Sequence, residues 1–94
     1  MDSIEELPWG PGSITLRKPL EVEVIDTGKR IAIEALTVGE TGEGETFEEA
    51  LLDLARNIES TFDELIVHGR RLPPAARDAL KKIENYLPHD LIDS

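Results

Sequence analysis

Between Ser13 and Asp26 the chain reads SITLRKPLEVEVID, and its apolar positions alternate. Ile14, Leu16, Leu20, Val22 and Val24 share one parity, interrupted by Lys18, while Thr15, Arg17, Glu21 and Glu23 take the other. A period of two marks a half-buried strand. Pro19 has no N–H to donate, so the strand is predicted to lie at an edge or to bulge there. Asp26–Lys29 (DTGK) reads as a turn, with Gly28 available for positive φ. Alternation resumes through Ile31, Ile33 and Ala35, which predicts an antiparallel hairpin. A third, shorter strand is expected over Thr37–Thr41 or slightly beyond, in a Gly- and Glu-rich stretch.

The pattern then changes period. Thr46 is placed to cap a helix, with Glu49 three residues later as its capping-box partner. Phe47, Leu51, Leu54, Ile58, Phe62, Leu65 and Ile66 follow at steps of three and four, with Ala50 and Ala55 beside them. That spacing lays one apolar stripe along a long helix. Gly69 reads as the C′ stop, with His68 in the last turn facing the negative end of the helix dipole. Arg70–Pro74 (RRLPP) reads as a hinge, and Pro74 suits the first position of a second helix running to about Leu87. Ala76, Leu80, Ile83 and Leu87 would face inward, and Asp78 and Lys82 are spaced as an i,i+4 ion pair. The tail adds Leu91 and Ile92. Residues 1–12 hold two prolines and two glycines within five positions, and read as a flexible arm. Trp9, inside that stretch, has two readings: a lid over one end of the core, or an anchor at a dimer or partner interface. The expected fold is α+β. A small three-stranded antiparallel sheet packs against one long amphipathic helix, followed by a second C-terminal helix, in the order β-β-β-α-α. The expected divisions are the arm at 1–12, a β-β-β-α domain at 13–69, and a hinge with the second helix at 70–94. So thin a sheet with one covering helix leads us to expect a homodimer or higher oligomer.

Composition narrows the chemistry. With 94 residues there is room for one domain with a modest core, and four aromatics leave that core to Ile, Leu, Val and Ala. There is no cysteine, which excludes thiol catalysis and cysteine metal sites and fits a cytoplasmic location. No apolar run approaches the roughly 20 residues that cross a bilayer, and the acidic, Pro/Gly-broken start does not read as a signal peptide. The formal net charge is −10. It repels phosphate backbones, so direct nucleic-acid binding is not expected, and it would steer a basic partner to this surface.

The three glycines in Val38–Leu54 (VGETGEGETFEEALLDL) stand where a phosphate loop would. A phosphate needs free backbone N–H groups and usually a nearby Lys, whereas Glu40, Glu43 and Glu45 crowd this stretch and no base occurs between Arg30 and Arg56. Spaced this way, the glutamates do not form a calcium loop. His68 and His89 have no HxxxH or HExxH partner, so a zinc site is not expected. Ser3, Ser13, Ser60 and Ser94 sit in no nucleophile elbow, and no catalytic residue, cofactor or metal is assigned. The basic cluster His68–Arg71 reads as a helix end with a solvated hinge, and no DNA-binding module is found. On the outer face of the first helix, Glu48, Glu49, Asp53, Glu59, Asp63 and Glu64 oppose Arg56 alone. That face is either simply solvated or a docking surface for a basic protein.

The hairpin followed by Gly42–Leu65 (GEGETFEEALLDLARNIESTFDEL) resembles the HicB-like antitoxin family. Its members join strands to a Gly-acid-Thr-x-Glu-Glu-Ala-Leu helix opening, which here is Gly44–Leu51. The resemblance covers about Leu20–Leu65. The hairpin lacks the aromatic that family members usually carry after the turn, and no DNA-binding module is appended. The resemblance implies a protein without catalysis of its own, which neutralises a small basic toxin, often an RNA-cleaving enzyme, by covering its RNA-binding surface. The alternative is a free-standing homo-oligomeric scaffold, or an acidic nucleic-acid mimic acting on another basic protein. The expected contact residues are Glu21, Glu23 and Glu34 on the open sheet face, Glu59, Asp63 and Glu64 on the helix, and Trp9.

Overall fold

A computed structural model describes residues 2–88. In chain order these form β1 (Asp2–Trp9), β2 (Gly12–Asp26), β3 (Ile31–Ala35), β4 (Glu40–Gly44), α1 (Phe47–Val67), a 3-10 turn (Gly69–Arg71) and α2 (Pro74–Glu84). His89, Leu91 and Ile92, considered above, lie outside the described residues. The fold is α+β with an antiparallel sheet and two helices, but the sheet has four strands rather than three, in the order β1-β2-β3-β4.

The extra strand is the stretch expected to be an arm. Trp9 pairs with Gly12 across a two-residue loop, and Gly10 sits at φ +55°. A tight hairpin turn asks a left-handed φ of its first central residue, and glycine supplies it without strain. Gly10 and Pro11 are therefore the turn itself, and Pro8 lies in an edge strand, where a missing N–H is tolerated. β1 hides its period because the register slips within it. Ile4 pairs with Leu20 but Glu6 pairs with Thr15, so Glu5 alone stands against Leu16–Pro19. Pro19 falls inside this irregularity, as its chemistry predicted. The slipped segment finds other partners: the Arg17 N–H donates to the Tyr86 carbonyl at 2.9 Å, and Lys18 Nζ lies 4.8 Å from the centroid of the Tyr86 ring.

The predicted hairpin forms as β2 and β3, closed by Asp26 Oδ1 accepting from the Gly28 N–H at 2.8 Å, with Gly28 at φ +89°. The expected third strand is β4, shifted later to Glu40–Gly44 because Leu36–Gly39 forms the turn, with Gly39 at φ +71°. One face of the sheet is buried. Ile4, Leu7, Leu16, Leu20, Val22, Ile33 and Ala35 meet Ala50, Leu54, Ala55, Ile58 and Phe62 of α1, and Ile83, Tyr86 and Leu87 complete the cluster. The predicted stripe is thus shorter than its period suggested, since Phe47 and Ile66 at its ends are exposed.

Both helix ends also differ in detail. Thr46 Oγ1 accepts from the Glu49 N–H at 3.1 Å, but the Glu49 carboxylate reaches the Glu45 N–H rather than that of Thr46. Gly69 is not a left-handed stop, because His68 caps α1 and the chain tightens directly into the 3-10 turn. α2 begins with Pro74 in its first turn as expected and ends at Glu84, short of Leu87. Asp78 and Lys82 do not close an ion pair; among the described residues the pair within 4 Å is Arg30–Glu43, at 3.8 Å.

Two glycines set where α1 lies. A Cβ on Gly42 would overlap the Leu54 amide nitrogen and the Ala50 carbonyl, and one on Gly44 would stand 2.6 Å from the Ala50 nitrogen. The helix backbone therefore rests directly on β4. Gly42→Ala must push the two elements apart, and overpacking of this kind costs about 1–3 kcal/mol. A drop in Tm of about 5–15 °C is expected by thermal denaturation. Gly12→Ala, which would meet nothing within 4 Å, should leave Tm nearly unchanged.

Candidate functional site

The strand-to-helix turn is accounted for without a ligand. The Glu43 N–H donates to Asp53 Oδ2 at 2.9 Å and the Glu45 N–H to Glu49 Oε2 at 3.0 Å. Backbone donors that a phosphate would need are held by the chain's own carboxylates. Asn57 Nδ2 donates to the Thr41 carbonyl, and Thr61 Oγ1 to Glu40 Oε1 at 2.7 Å. Side chains of α1 thus close the outer edge of β4, which would otherwise offer unpaired backbone groups to another strand. Among the described residues, no group of three or more His, Asp or Glu side chains is placed to hold a metal ion. No helix there is long and apolar enough to cross a membrane.

Among the described residues, nothing covers the other face of the sheet. Because successive side chains alternate, the residues between the buried Leu20, Val22, Ile33 and Ala35 point away from α1. Glu21, Glu23 and Glu34 are therefore brought together as expected. Glu23 and Glu34 are direct cross-strand partners, with Thr41 beside Glu34 on β4. The next row is Ile25, Ala32 and Glu43. Arg30 reaches Glu43 from the hairpin, with both side chains 59% exposed, so the pair is solvent-screened.

The helix residues do not join this cluster. Glu59, Asp63 and Glu64 belong to α1, which covers the opposite face. Glu59 also holds the fold together, since its Oε2 accepts from the Gly10 N–H at 3.2 Å and ties the β1–β2 turn to α1. Trp9 is half-buried, and its ring meets Phe62 edge-on, with centroids 6.1 Å apart and planes at 63°. That is the lid geometry. Asp63 and Glu64 remain exposed.

Leu36 was not among the residues expected at a site. It is 69% exposed and lines a groove of about 360 Å³ with Glu21, Val22, Glu23 and Thr37. The groove lies where β2 changes partner, since β1 pairs with it up to Val22 and β3 from Glu23 onward. Its parity was the available signal: Leu36 follows the inward Ala35 and so falls on the outward side.

Set against protein-family models, curated proteins and solved structures, the chain matches none.

Like charges placed directly opposite on a sheet destabilise it. Glu34→Lys converts the Glu23–Glu34 opposition into attraction, and should raise stability by about 0.5–1 kcal/mol at low salt. The gain should shrink at 0.5 M salt, where screening reaches roughly 4 Å. Urea titrations at the two salt concentrations measure this.

Proposed function

We propose that this chain is a HicB-like antitoxin or interaction domain that binds a basic protein partner and neutralises it stoichiometrically, with no catalysis or cofactor of its own. The partner proposed is a small RNA-cleaving toxin. The observation that carries the reading is the uncovered sheet face, where Glu21, Glu23 and Glu34 converge and two of them oppose each other across strands. A surface for RNA is basic wherever it meets phosphate, so an acidic sheet of this kind is complementary to it. The net charge of −10 supports the same partner class and speeds its capture. The order of hairpin, short strand and capped helix over Leu20–Leu65 is the arrangement that the family resemblance implies.

The two expected acid groups lie on opposite sides of the molecule, which sharpens the proposal. One rigid partner does not cover both, and the sheet face is the one chosen here. Asp63 and Glu64 are secondary, and Glu59 and Trp9 act within the fold.

The test is co-purification and titration calorimetry with the product of the adjacent reading frame. A small basic protein should bind the full chain, and its Kd should rise at least tenfold between 50 and 300 mM salt. Glu21→Lys with Glu23→Lys and Glu34→Lys should abolish binding, whereas Asp63→Lys with Glu64→Lys should change it less than threefold. Affinity indifferent to salt, or surviving reversal of the sheet acids, sinks the reading.

A further inference from the structure

The sheet face opposite α1 is not uniformly acidic. Its outward side chains fall into three rows across the strands. Ile25, Ala32 and Glu43 make the first row, and Glu23, Glu34 and Thr41 the second. In the third, Leu36 comes beside Glu21, and both line the cavity of about 360 Å³. The first row has a smaller cavity of about 180 Å³, which Ile25 and Ala32 line with Thr27 and Arg30. Ile25 is 39% exposed and Leu36 69%. An aliphatic side chain thus stands in water at each end of the face, with carboxylates between them. The rows also differ in charge. Glu43 already has Arg30 at 3.8 Å, whereas among the described residues no base lies within 4 Å of Glu21, Glu23 or Glu34. The place open to a cation is therefore the middle of the face, not its Ile25 end.

Exposed aliphatic side chains favour a cover, and the charges around them select its chemistry. The rows are about 6.7 Å apart, two residues along a strand. A helix laid along the strands brings a side chain to one face every four residues, about 6 Å. Its internal hydrogen bonds satisfy its backbone, whereas an extended segment lying flat on a sheet face finds no strand edge to pair with. We propose that the basic partner docks here through one amphipathic helix, with aliphatic side chains at i and i+8 and Arg or Lys at i+4. The aliphatic pair covers Ile25 and Leu36, and the cation enters between Glu23 and Glu34. A polybasic surface without the aliphatic pair satisfies the acids but leaves both ends wet, so the face discriminates among basic proteins. This inference rests on the reading of a basic partner, but not on that partner being a toxin.

The experiment displays a library on a helical miniprotein, with one helix face randomised, and selects it against the full chain. Binders to the variant Glu21→Lys with Glu23→Lys and Glu34→Lys are removed first. The recovered helices should carry aliphatic, basic and aliphatic residues at i, i+4 and i+8. By titration calorimetry, Leu36→Ser or Ile25→Thr should weaken such a binder at least fivefold, and by the same factor at 50 and 300 mM salt. The loss with Glu23→Gln and Glu34→Gln should instead shrink as salt rises. Circular dichroism melts check that the variants fold. Replacing the binder's own aliphatic residues by Ser, or its base by Gln, repeats the comparison on the unaltered chain. Helices that are basic without the aliphatic pair, binders indifferent to Leu36→Ser and Ile25→Thr, or no binder left after the subtraction would each overturn the proposal. The result is separable from that of the toxin test. If the adjacent product binds and the two aliphatic variants leave its Kd unchanged, this proposal falls and the toxin reading stands. If it does not bind while helices of this pattern are selected, the toxin reading falls and the docking chemistry stands.

Discussion

The position of α1 depends on a backbone-to-backbone contact. Gly42 and Gly44 let the helix sit on β4 with no side chain between them, closer than ordinary helix-on-sheet packing allows. Two consequences follow from that closeness. Short polar side chains on α1 reach the outer edge of β4, so Asp53 and Asn57 satisfy its backbone groups. The apolar stripe also faces the sheet, and Leu54 and Ile58 join Leu20, Val22 and Ile33 in one buried cluster. Glu40, the first residue of β4, is level with Thr61, so the last turns of α1 run beyond the strand. Phe62 and Leu65 in those turns still join the core with Trp9, while Ile66 and Val67 are left in solvent.

The rest of the core is assembled around the slip in β2. A long strand that kept one register would bind β1 along its whole length and leave Arg17 and Lys18 on the ladder. Instead the slipped segment turns outward and takes Tyr86 as partner, through a backbone hydrogen bond and a cation over the ring. The chain after α2 is thereby pinned beside β2, and Ile83 and Leu87 close the end of the core. Although these parts are far apart in sequence, one irregularity joins them.

Much of this was legible from residue order. The β2–β3 hairpin follows from parity and the Asx-type turn at Asp26–Gly28, and the start of α1 follows from Thr46. What failed did so for local reasons. Gly10 and Pro11 read as breakers of regular structure, whereas a glycine followed by a proline can itself be the turn of a hairpin. β1 gave no period because its inward residues, Ile4 and Leu7, are an odd number apart across the slip. The glycines before α1 read as a turn feeding the helix, whereas Gly42 and Gly44 lie in β4 and admit the helix backbone, and only the fold reveals which neighbour a glycine admits. At the candidate site, alternation of apolar and polar positions puts Glu21, Glu23 and Glu34 on the outward side of their strands. Their separation from Asp63 and Glu64 depends on which side α1 covers, and charge content is silent on it.

The acids of this chain divide by what their carboxylates do. Glu49, Asp53 and Glu59 each accept a backbone N–H, so their charge helps hold the turns and the helix in place. Glu49 lies in addition in the first turn of α1, where the positive end of the helix dipole favours it. Among the described residues, the sheet-face acids Glu21, Glu23 and Glu34 accept no such bond. Glu23 and Glu34 face each other across strands at a position where Thr or Lys would fit the same pleat and add stability. Folding alone therefore supplies no reason for the pair, whereas the proposed basic partner would. A cation brought to it by another protein surface would turn the repulsion into attraction, so the site gains most when it is occupied. That is what the proposed function asks of this face.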